Sequence, residues 1–145
     1  MNTSTPAQVP ASALPKRPPR ELLALARHGL DEAAATKPAG PRYATAHLSA
    51  LRCAAAVLAA RARPSSESRR PRTRPTSVWV LLPQVAPELG EWASFFGAAA
   101  LKRAAAEAGL PNAVTDREAD EMVADAEVFY RSAALTCGLS TEECR

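Results

Sequence analysis

The chain has 145 residues and a formal charge of +3 at neutral pH; it is 47% hydrophobic but only 5% aromatic. That length suits one domain and not two. Much of the apolar content is alanine, the best helix former, and no run of alternating strand residues is long enough to build a sheet, so an all-β or α/β fold is excluded. Met1–Pro19 contains five of the 13 prolines and no hydrophobic period, and reads as a disordered tail. Pro18 and Pro19 suit the entry to a first helix, Arg20–Ala35, whose Leu22, Leu25, Ala26, Gly29, Leu30 and Ala33 fall at helical spacing.

Pro38, Gly40 and Pro41 then break the pattern. A second helix is predicted over Arg42–Arg63, apolar on nearly all sides through Tyr43, Leu48, Leu51, Ala54, Ala55, Val57 and Leu58, and is therefore expected at the centre of a bundle. Pro64–Pro75 reads as an extended linker in which Arg69, Arg70, Arg72 and Arg74 repel one another. A third helix is expected from Ser77 to Ala108, kinked or divided by Pro83 and Pro87, with an inner stripe of Val78, Leu82, Val85, Leu89, Trp92, Phe96 and Ala99 or Ala100. Gly109 and Pro111 stop it. A fourth helix starts at Thr115, which stands in capping-box spacing to Glu118, and ends at Gly138, with Ala119, Met122, Val123, Ala126, Phe129 and Ala133 on one face.

The expectation is an all-α bundle of about four main helices over residues 20–138, with 64–75 as an internal linker, residues 1–19 as a tail and 139–145 as a loose end. Charge is uneven: residues 1–75 carry a balance of +9 and residues 76–145 of −6, a dipolar arrangement that suits an anionic ligand at one end or pairing with a second copy. No stretch is expected to cross a membrane; the longest uncharged apolar run, Val78–Pro87, holds two prolines. Cys53, Cys137 and Cys144 are odd in number and without metal-ligand spacing, which points to free thiols, a reducing cytoplasmic setting, and neither metal nor cofactor.

Chemistry has few candidates. His28, late in the first helix, is expected to be structural. His47 follows Arg42 by five positions, about 140° around a helix at 100° per residue, but a long arginine side chain at a helix start could still share a groove with it. The competing reading is a core histidine with a separate arginine. Trp79, Trp92, Phe95 and Phe96 suit either a stacking platform for bases or core packing, and the arginines at 69–74 either track a phosphate backbone or are solvated.

Three segments, Arg42–Pro64 (RYATAHLSALRCAAAVLAARARP), Val78–Ala100 (VWVLLPQVAPELGEWASFFGAAA) and Arg117–Tyr130 (READEMVADAEVFY), resemble in that order an actinobacterial family of small HEPN-domain proteins. The resemblance spans about residues 20–135. It implies a helical bundle, typically a homodimer, that interacts with RNA or nucleotides. It further implies a metal-independent endoribonuclease in which Arg42 and His47 match the family's Arg-x4–6-His motif. There histidine would act as acid or base on the ribose 2′-hydroxyl, and arginine would hold the phosphorane charge. Here the motif opens the second helix rather than a late one, and Tyr43 stands where a polar residue often follows the arginine. The alternative is a non-catalytic helical adaptor that binds a protein partner.

Overall fold

A computed structural model describes residues 8–10, 15–65 and 77–144. Among these residues the fold is all-α: α1 (Pro19–Ala35), α2 (Ala39–Arg61), α3 (Val78–Val85), α4 (Gly90–Glu107) and α5 (Asp116–Thr136). Most of the expected tail and of the arginine linker lies outside the described residues. Their described parts, β1 (Gln8–Pro10) and β2 (Arg63–Ser65), form a three-residue parallel pairing.

Pro18 caps α1 and Pro19 occupies its first position, where a missing N–H leaves no bond unmade. α2 starts earlier than predicted, at Ala39, with Pro38 as its cap. Gly40 and Pro41 are thus inside the first turn rather than in a break, because the first four N–H groups of a helix have no intrahelical acceptor to lose. The third helix, expected to be kinked or divided by its prolines, is divided into two. Ala86 adopts φ −142°, ψ 77°, as a residue before proline is pushed out of the α region, and Pro87–Leu89 makes one 3-10 turn before α4 begins. Ser77 caps α3 by accepting from the Trp79 N–H at 3.2 Å. Gly109 and Gly138 take φ of 73° and 72° after α4 and α5, as expected of helix stops. The capping box of α5 is complete: Glu118 N–H donates to Thr115 Oγ1 at 3.1 Å, and Thr115 N–H to Glu118 Oε1 at 3.0 Å.

α2 is the central element and packs against α1, α3, α4 and α5. It is also long and apolar enough to cross a membrane (mean hydropathy 1.2 over its best window), which corrects the expectation that no stretch is; 56% of that window is buried in the bundle. Its neighbours come close because alanine lines the contacts: Ala46, Ala50, Ala54 and Ala56 are fully buried. The crossing with α1 is tightest at Gly29, where a Cβ would stand 2.1 Å from Ser49 Oγ. α1 is also clamped to α5. Arg27 donates to both carboxylate oxygens of Glu127, at 2.8 and 2.5 Å, and its guanidinium lies 5.0 Å from the Tyr130 ring centre. The Glu127 bond is the main reason the Arg27 pKa is raised. After α5 the chain makes a turn, with Glu143 N–H bonded back to the Ser140 carbonyl, and tucks Cys144 out of solvent instead of trailing loosely.

Candidate functional site

The two residues of the Arg-x4-His spacing leave α2 in different directions. Arg42 is buried, and its guanidinium runs toward the end of α1 and the start of α5. It donates to the carbonyls of Thr36, at 3.1 Å, and of Lys37, and to the carbonyl and carboxylate of Asp116, each at 3.3 Å. Its Nε is 3.1 Å from Asp120 Oδ1, close enough for an ion pair but not aligned for a hydrogen bond. Most of the donors of this arginine are thus committed to tying the α1–α2 connection to the first turn of α5.

His47 points the other way, into the core between α2, α3 and α4, and is 1% exposed. Its Nε2 is 2.8 Å from the carbonyl oxygen of Phe96. A carbonyl only accepts, so Nε2 carries the hydrogen and Nδ1 is the bare nitrogen. That Nδ1 is buried with no hydrogen-bond partner among the described residues. The ring meets Trp79 and Phe96 edge-on, with centroids 5.9 and 6.0 Å apart. Burial holds its pKa below the ordinary 6.5; the Phe96 bond opposes that shift, Arg103 adds to it and Glu107 opposes it. The imidazole is neutral, fixed in one tautomer, and closed off from solvent. A ribose phosphate has no approach to it, and Arg42 is engaged elsewhere. The guanidinium whose field His47 does feel is that of Arg103 on α4, which no spacing in the sequence singles out.

The aromatic residues divide between the two readings made of them. Phe96 is fully buried and at the hub, with Trp79 and Trp92 stacked at 5.3 and 5.6 Å and Phe129 at 5.0 Å. Trp79 is also buried and Trp92 half-buried, but Phe95 is 42% exposed. His28 is exposed on α1. The arginines at 69, 70, 72 and 74 lie outside the described residues.

Helices α1, α3, α4 and α5 packed around one apolar central helix make an all-α bundle. The sequence profile of SAV_6107-like HEPN proteins matches residues 33–133, and the chain belongs to that family. No curated protein and no solved structure matches it.

Proposed function

We propose that this protein is a non-catalytic HEPN-type binding module, an adaptor whose partner is another protein. The observation that carries this reading is the closed environment of His47. A general acid or base must reach the proton it moves, and here the ring is sealed by Trp79, Phe96 and the Phe96 carbonyl while Arg42 braces the start of α5. The module would span residues 20–138, work in the cytoplasm, and pair with a second copy as its family resemblance implies. Leu101 and Leu110, 84% and 57% exposed, are apolar side chains available to such pairing. The test is incubation of the purified protein with labelled RNA, with light scattering to give its mass. The adaptor reading expects intact RNA and a dimer. Cleavage that disappears in a folded His47→Ala variant would overturn it in favour of Arg42/His47 catalysis.

A second reading, RNA contact without cleavage, is favoured by one feature: four arginines within residues 69–74, in a half of the chain whose balance is +9. Replacing Arg69, Arg70, Arg72 and Arg74 together by glutamine would then weaken RNA binding and flatten its dependence on salt.

A further inference from the structure

α4 and α5 both pack on α2 but make little backbone contact with each other. They meet through Trp92, Phe96 and Phe129 at one end, and through the Lys102–Glu118 ion pair at the other. Between these ends is a cavity of about 170 Å³, about the space of one long side chain, lined by Tyr43, Phe95, Ala99, Met122, Glu121 and Asp125.

Three independent features of this groove point to one kind of ligand. The first is an aromatic face: Phe95 stands half out of the bundle, held edge-on by Phe96 at 5.0 Å and Trp92 at 6.2 Å. The second is a carboxylate with nothing to balance it. Glu118 is paired with Lys102 and Glu121 with Arg117, but among the described residues no cation pairs with Asp125. Burial, with Glu121 beside it, pushes the Asp125 pKa up, as expected of a carboxylate in need of a cation. The third is Tyr43, 5% exposed, whose hydroxyl has no hydrogen-bond partner among the described residues although the residue lines the cavity. That oxygen is not sealed in the core but stays open to the cavity, where water or a ligand can reach it.

We infer that the groove between α4 and α5 binds an arginine side chain presented by a protein partner, placed by the juxtaposition of Phe95, Asp125 and the Tyr43 hydroxyl. The aliphatic stem covers Ala99 and Met122, the guanidinium plane lies against Phe95, and its N–H groups reach the Asp125 carboxylate and the Tyr43 oxygen. Arginine fits better than lysine because a planar, weakly hydrated head can stack and donate at once. This inference names the partner chemistry of the adaptor reading and rests on that reading for its biological sense.

The test is a nuclear magnetic resonance titration of the ¹⁵N-labelled full chain with N-acetyl-arginine methylamide. Controls are N-acetyl-norleucine methylamide and sodium chloride at matched ionic strength. Saturable shifts are expected at Phe95, Ala99, Met122 and Asp125 with the arginine probe alone. Asp125→Asn and Phe95→Leu should each weaken binding about fivefold, the scale of one lost ion pair or cation–π contact. Tyr43→Phe removes only the unpartnered hydroxyl; it should weaken binding by about twofold or more with no loss of thermal stability. Equal shifts from norleucine or salt, or unchanged affinity in folded Asp125→Asn and Phe95→Leu variants, would overturn the inference. The two readings fail separately: no arginine binding with intact RNA removes the groove alone, whereas His47-dependent RNA cleavage removes the adaptor and leaves the titration result standing.

Discussion

His47 on α2 donates from Nε2 to the Phe96 carbonyl on α4 across 2.8 Å, and this one bond joins the two helices inside the aromatic cluster. A helix carbonyl has a second lone pair, so Phe96 can accept it beside the helical bond. The contact ties the ring to the packing of the core and gives it a signature in pH.

The ring must be neutral to sit where it does, because burial pushes its folded pKa below 6.5. Below pH 6.5 the unfolded chain therefore binds more protons than the folded one. Stability should be flat above that pH and fall as pH drops from 6.5 toward the lower folded value. Urea unfolding of wild type and His47→Gln between pH 8 and 5 checks this. Glutamine can still donate to Phe96 but does not titrate, so the acid-side loss attributable to residue 47 should vanish. Equal slopes in the two proteins would contradict the buried, neutral assignment.

Arg42→Ala should destabilise the fold by about 2–4 kcal/mol, because it removes charged hydrogen bonds to the carbonyls of Thr36, Lys37 and Asp116. Asp120→Asn should cost less than about 1 kcal/mol, since that carboxylate is 72% exposed and its ion pair is screened. Chemical denaturation of both variants measures the contrast. A larger loss in Asp120→Asn than in Arg42→Ala would mean that the ion pair, not the carbonyl bonds, holds α5.

Gly29 and Ser49 should be energetically coupled. Alanine is about 1 kcal/mol better than glycine inside a helix, but in the native chain its Cβ would force the Ser49 hydroxyl away from the Thr45 carbonyl, which it now reaches at 3.1 Å. Gly29→Ala alone is therefore expected to bring little gain, while the same change in a Ser49→Ala background, where the nearest remaining atom is 3.5 Å away, should stabilise. A double-mutant cycle by thermal unfolding reads the coupling, and additive effects would refute the close approach.

Thr115→Ala should cost about 1 kcal/mol by breaking the capping box at the start of α5. Because Glu118 also pairs with Lys102, the loss should be accompanied by faster amide exchange in the first turn of α5, measurable by hydrogen exchange.

The elements were largely legible from the chain alone, because they follow from local chemistry. Proline at a helix entry, the Thr115–Glu118 spacing, the two stopping glycines and the apolar stripes act within a few residues of themselves, and the structure keeps them. The all-round apolar character of Tyr43–Leu58 was enough to put α2 at the centre. Where local reading went astray, at Ala39–Pro41, proline had two allowed roles, first-turn residue or breaker, and the neighbouring helices selected one. The arginine run at 69–74 has charge but no described surroundings.

Sequence by itself determined a helical chain with one central helix, and it determined the 140° that separates Arg42 from His47. Only the tertiary structure decided what each side chain meets at the end of that angle. Arg42 reaches Asp116, 74 positions on, and His47 reaches Phe96, 49 positions on, and neither distance leaves a trace in local spacing. The groove lined by Phe95 and Asp125 belongs to the same class: it exists because α4 and α5 each pack on α2 and meet one another only at the two ends of the groove. Backbone propensity is a property of neighbours in the chain, whereas exposure, protonation and partner choice are properties of neighbours in space.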